Sequence, residues 1–110
     1  MRSEKNYEKM IFMKFSCKVF KKENEVLLAI CDPEILGKTF EEEELHIEVK
    51  RDFYHEKFVD ENDVLSLIKN ATIVNAVGKE TINLLLKNKY IKKECVIEIK
   101  GVPHAQIITI

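Results

Sequence analysis

Two stretches near the start of the chain leave little freedom in what it can fold into. Ile11, Met13, Phe15, Cys17 and Val19 alternate with Lys14, Ser16 and Lys18, the period-two mark of a half-buried strand, with Phe12 and Phe20 on the polar side. After the polar Lys22-Glu23-Asn24-Glu25 comes Val26-Leu27-Leu28-Ala29-Ile30-Cys31, an unbroken apolar run of the length of a strand buried on both faces. Met10 to Phe20 and Val26 to Cys31 are therefore expected to pair as an antiparallel hairpin. With 110 residues, 45% of them apolar, and only three Gly and two Pro, the chain reads as one domain with its own core and no linker or repeat.

The rest of the pattern extends that sheet. Asp32-Pro33 begins a turn leading to Gly37, after which Leu45, Ile47 and Val49 alternate with His46, Glu48 and Lys50 as a third strand. Asp60 is placed to cap a helix over residues 61–71 through Val64, Leu65, Leu67, Ile68 and Ala71, and Glu61 and Asp63 suit its positive end. Residues 72–77 read as a short strand, and Gly78 opens a second helix over 79–89 with Ile82, Leu85, Leu86 and Tyr90. Glu94 to Ile99 and His104 to Ile110 complete the sheet, joined by a turn at Gly101 and Pro103 that leaves His104 and Gln106 on one face. The expected fold is α+β: about six short, mostly antiparallel strands with two helices packed on one face.

Net charge is only −1, but its signs are segregated. Residues 1–22 carry seven basic and two acidic groups, residues 23–50 nine acids against Lys38 and Lys50, and the last forty residues six lysines against Glu80, Glu94 and Glu98. If the two ends lie side by side, the molecule has a basic face, the usual footprint for nucleic-acid phosphates, and an acidic one centred on Glu41 to Glu44. Surface ion networks use the same composition without any ligand. The basic set to watch is Lys14, Lys18, Lys87, Lys92 and Lys93; Arg51 and Tyr54, beside Lys50 and Phe53, pair cation with aromatic ring as base-stacking sites do. No apolar run is long enough to span a bilayer and no leader pattern opens the sequence, so a cytoplasmic protein with no membrane partner is expected. Cys17, Cys31 and Cys95 sit in apolar surroundings and read as buried free thiols.

Motifs for catalysis are thin. Gly37-Lys38-Thr39 fails as a phosphate loop, because Asp32 stands where the first glycine belongs and four glutamates follow where a helix should start. Asn75-Ala76-Val77-Gly78-Lys79 is a better anion candidate: a glycine opening a helix leaves free amides at the positive end of the dipole, and Lys79 adds charge, while Glu80 competes for that end. His46, His55 and His104 lack metal-ligand spacing, and no nucleophile, base and acid can be grouped, so neither a metal, a cofactor nor a catalytic set is assigned. Asn70-Ala71-Thr72 fits the glycosylation pattern only incidentally.

Three segments in order, Leu36-Gly37-Lys38-Thr39-Phe40, Asn75-Ala76-Val77-Gly78 and Gly101-Val102-Pro103-His104-Ala105-Gln106, carry a resemblance to the family of small archaeal proteins grouped as domain of unknown function 424. The similarity runs from about Met10 to Ile110, which makes residues 1–9 an extension to a single domain over 10–110. It implies an archaeal cytoplasmic protein and brings no reaction. The leading expectation is a non-catalytic binding module associated with RNA or a ribonucleoprotein in translation or RNA metabolism. The other is a small enzyme or anion- or nucleotide-binding protein in which the three segments converge to bring Lys38, Asn75, Gly78, Lys79, His104 and Gln106 around one pocket. The acidic Glu41 to Glu44 face would serve a protein partner.

Overall fold

In the computed structural model, which describes residues 13–109, the hairpin forms as read: β1 (Phe15–Lys22) pairs antiparallel with β2 (Glu25–Cys31), from Ser16 opposite Cys31 to Lys22 opposite Glu25. Met10 to Phe12 of the expected first strand, and residues 1–9, lie outside the described residues. A 3₁₀ turn (Pro33–Ile35) leads to β3 (Thr39–Glu42) and β4 (Leu45–Glu48), then come α1 (Arg51–Tyr54), β5 (Lys57–Val59), α2 (Glu61–Lys69), β6 (Ile73–Val77) and α3 (Lys79–Lys87). A second 3₁₀ turn (Lys93–Cys95), β7 (Ile97–Ile99) and β8 (Val102–Ile108) close the chain.

Six strands form one mixed sheet in the order β5-β1-β2-β6-β8-β7, and β3 with β4 forms a separate two-stranded ribbon. Within the large sheet β2 and β6 run parallel, and every other neighbouring pair is antiparallel. Because successive side chains of a strand point to opposite faces, β2 and β6 sort their residues cleanly. Leu28, Ile30, Val74 and Ala76 meet Val64 and Ile68 of α2 and Ile82, Leu84 and Leu85 of α3 on what we call the helical face. Ala29, Cys31 and Val77 meet Val49 and Tyr54 on the opposite, loop face, where Leu36, Phe40, Ile47 and Phe53 complete the cover. The apolar run of β2 is thus buried from both sides.

The α+β class and the two longer helices on one face agree with the sequence, but three expectations need correction. The sheet complement is eight strands, because Leu45, Ile47 and Val49 belong to the ribbon and its exit; Leu45 is 44% exposed while Val49, beyond β4, is fully buried. A third helix, α1, covers the loop face, so helices flank both sides of the sheet. Residues 94–96 fold into and out of a 3₁₀ turn instead of strand, and Cys95 is exposed; Cys17 and Cys31 are the buried thiols, raised by burial to about 11 and about 12, so both stay protonated at neutral pH.

The local signals explain the elements that position the site. Asp60 caps α2 in a reciprocal box, its Oδ1 accepting from the Asp63 amide at 2.8 Å while Asp63 Oδ2 accepts from the Asp60 amide at 3.3 Å. Lys100 and Gly101, both at positive φ (54° and 78°), make the tight turn from β7 to β8. That turn sets Val102, His104 and Gln106 on the loop face beside Val77 and Asn75.

Candidate functional site

The end of the parallel pair is where an anion was expected, and the chain fills it itself. Cys31 and Val77 end β2 and β6 side by side, so Asp32 and Gly78 leave the sheet together, with the Asp32 amide bonded to the Val77 carbonyl at 3.2 Å. The Asp32 carboxylate, 3% exposed, accepts from the Glu80 amide at 3.0 Å, the Thr81 amide at 2.9 Å and the Thr81 hydroxyl at 2.7 Å. These are the free donors of the α3 N-terminus, and Gly78, its N-cap, has no side chain to satisfy them. Gly78 sits at φ 116°, and a Cβ there would fall 2.4 Å from Asp32 Cγ, so only glycine lets the carboxylate reach the helix. The site proposed for an external anion at Gly78 is therefore occupied by an internal one. Lys38 does not point into it: it is exposed in the turn before β3, held by backbone bonds to Ile35 and Val49.

The family-resembling segments do meet, on the loop face. Leu36, Phe40, Val77 and Val102 belong to one cluster, and the Gly78 amide donates to the Pro103 carbonyl at 2.9 Å. Asn75 lies opposite Gln106 in the β6–β8 ladder, and His104 opposite Val77. Asn75 Oδ1 accepts the Tyr54 hydroxyl at 2.8 Å and lies 3.2 Å from His104 Nε2. Because that oxygen only accepts, Nε2 of His104 carries the proton and Nδ1 is left as the acceptor. Burial pushes the His104 pKa below its ordinary value and, with Cys31 nearby adding to the effect, pushes the Tyr54 phenol well above its own. The imidazole is thus neutral near pH 7. Gln106 and Lys79 are exposed, and Lys79 stands on the helical side of the sheet.

Tyr54 cannot stack on a base, since it is 4% exposed beneath the loop-face cover. Its neighbours form a half-buried strip that Phe58 continues to the surface. Ser16, Lys18 and Phe20 of β1 project to the loop face at successive steps of about 6.6 Å. The Phe20 ring stacks on Phe53 at 5.2 Å, and Lys18 Nζ lies 5.0 Å from the Phe20 centroid while donating to the Asp52 carbonyl at 2.9 Å. At the other end His55 packs on Phe58, itself 44% exposed, with ring centroids 4.4 Å apart. The buried Ser16 hydroxyl donates to the Tyr54 carbonyl at 3.0 Å, so His55 Nδ1, 2.7 Å away, is the donor to Ser16. Arg51 and Lys57 are exposed at the margins.

The five lysines do not all share one surface, because Lys18 stands apart from Lys14, Lys87 and Lys93. Lys18 and Arg51 accompany this strip, whereas Lys14 and Lys87 line a shallow hollow on the helical side and Lys93 a groove beside α3, with Lys92 exposed next to it. Charge counting along the sequence is blind to where each lysine leaves the sheet: Lys18 lies within β1, whereas Lys14 precedes the strand and lines the helical-side hollow with Lys87. Within the acidic run, Glu42 Oε1 accepts from the Lys100 amide at 2.8 Å and Glu41 meets His46 Nδ1 at 2.8 Å, so part of that charge fastens the ribbon. Sequence reasoning missed Asp32 as a cap and Phe58 and His55 as a ring pair. The first was signalled by a helix start with no local cap, the second by aromatic residues three apart.

These features define a small α+β domain with a two-sided core and a polar, aromatic-edged loop face. The chain belongs to the family described as "Protein of unknown function (DUF424)", whose model matches residues 20–110. It is similar in structure to an uncharacterized conserved protein from Methanopyrus kandleri known from a crystal structure, with a TM-score of 0.72 at 20% identity, covering 87% of this chain and 93% of that one. No curated protein matches it. Among the described residues no helix is long and apolar enough to cross a membrane, and no three His, Cys, Asp or Glu side chains are grouped to hold a metal.

Proposed function

We propose that this is an archaeal, cytoplasmic, non-catalytic RNA-binding module that takes single-stranded RNA, free or in a ribonucleoprotein, on the loop-face strip along β1. The observation that carries the reading is the order of groups beside β1, drawn from β5, β1 and α1: the Phe58–His55 pair, then Lys18, then the Phe20–Phe53 stack. Rings on a sheet surface with a cation between them suit bases that stack and phosphates that pair in alternation, a sequence-tolerant mode. Lys18 keeps donors to spare, because an ammonium has three and one is spent on Asp52. Beneath the strip, the Ser16 and Tyr54 hydrogen bonds hold α1 against β1 and β6, so the rings are presented on a fixed support. The exposed acids of the ribbon would keep RNA off the far end of this face and leave it to a protein partner.

Fluorescence anisotropy with a labelled single-stranded oligoribonucleotide tests the reading. Saturable binding is expected, with log affinity falling linearly in log salt, and Phe58→Ala is expected to weaken it roughly tenfold. Equal affinity of wild type and Phe58→Ala, or no binding at low salt, contradicts it.

A further inference from the structure

A groove on the helical side, opposite the RNA strip, belongs to none of the features above. It runs between α3 and the β7–β8 hairpin and encloses about 520 Å³, within the range of small-molecule sites. Its floor is aliphatic, from Ile82 and Leu86 of α3, Val96 and Pro103. Its polar groups are few: Lys79 comes from the first turn of α3, Lys93 from the 3₁₀ turn before β7, with Asn83 and Glu98 between them. Lys79 and Lys93 are both exposed and belong to different elements, α3 and the 3₁₀ turn before β7.

We infer that this groove binds a small organic anion with an apolar body. The charge complement is what commits the occupant: two ammonium groups against the single Glu98 carboxylate leave the lining net positive, which favours a phosphate or carboxylate head, and an aliphatic floor buries a flat or extended body. Asn83 and Glu98 add one side-chain amide and one carboxylate acceptor, which also accommodate a body with donor groups of its own, such as the hydroxyls and amine of a nucleotide. An acyl carboxylate shares the head and the apolar body but offers no such donors. The α3 N-terminus takes no part in holding the anion, because Asp32 already satisfies its amides.

The test is a titration of the ¹⁵N-labelled full chain, followed by amide chemical shifts, with adenosine 5′-monophosphate, decanoate and inorganic phosphate in parallel. Saturable shifts at Ile82, Asn83, Leu86 and Val96 with the nucleotide or with decanoate support the inference and say which body the groove takes. Phosphate alone is expected to bind at least tenfold more weakly than the better organic anion, and Lys79→Glu combined with Lys93→Glu is expected to weaken that anion at least tenfold. Both lysines are exposed, so the double variant should keep its dispersed spectrum. Absence of saturable shifts with either organic anion, or shifts that persist unchanged in the double variant, overturns the inference. Neither result bears on RNA binding, whose residues lie across the sheet.

Discussion

The two faces of the sheet are built on different principles. On the helical face, α2 and α3 lay apolar stripes against Leu28, Ile30, Val74 and Ala76, and the cluster is apolar, aliphatic apart from Phe15 and Cys17. On the loop face, a four-residue helix, a turn and a ribbon cover less regular ground; side-chain hydrogen bonds of Ser16 and Tyr54 join the cover to the strands, and one between His104 and Asn75 ties β8 to β6. A face sealed by non-directional apolar burial accepts repacking at modest cost, whereas one held by directed hydrogen bonds fixes the orientation of each group. The second kind of face is the one that can present rings and cations in a set order.

Asp32 stands where the two regimes meet, and its removal is the largest perturbation the account predicts. Asp32→Ala leaves two buried or half-buried amides and the Thr81 hydroxyl without their acceptor and is expected to cost about 3–4 kcal/mol in urea unfolding. A loss below about 0.5 kcal/mol, the size of an ordinary surface change, would mean that α3 is held by its apolar stripe alone.

A smaller effect separates the faces by pH. The helical-face cluster contains no histidine, whereas His104 lies on the loop face with its pKa lowered by burial. Above about pH 6.5 the imidazole is neutral in both the folded and the unfolded chain. As pH falls below that value the unfolded chain takes up a proton that the folded protein resists, so stability declines until the folded-state pKa is passed. The contribution to the slope is at most about 1.4 kcal/mol per pH unit. His104→Gln, which keeps a donor toward Asn75, is expected to flatten this part of the profile measured by urea unfolding between pH 7 and 5. An unchanged profile in the variant would remove His104 from the account.

What the sequence made legible follows the same division. The β1–β2 hairpin, the two-sided burial of Val26 to Cys31 and the capped α2 rest on periodicity and on contacts a few residues apart, and they stand as read. The loop face escaped because α1 and β5 are too short to show a period, and because alternation in Leu45 to Val49 marks a strand without naming its sheet. Asp32 reaches partners 48 and 49 residues away, a contact no local pattern encodes. Within the candidate site, Asn75, His104 and Gln106 each fall in the strand expected for them, but the β6–β8 pairing that brings them together is written in neither strand's own pattern. The burial of Tyr54 was not legible either, because an aromatic beside Arg51 reads equally well as core or surface.

The central claim, that RNA is taken by the loop face along β1, is tested most directly by mapping amide shifts on the ¹⁵N-labelled protein as a single-stranded oligouridylate is added at low salt. The account predicts that Lys18, Phe20, Phe53, His55 and Phe58 shift together and saturate, while Ile82, Asn83 and Leu86 on α3 stay in place. Shifts confined to α3 and the neighbouring Lys87, Lys92 and Lys93, or no saturable shifts at all, would contradict it.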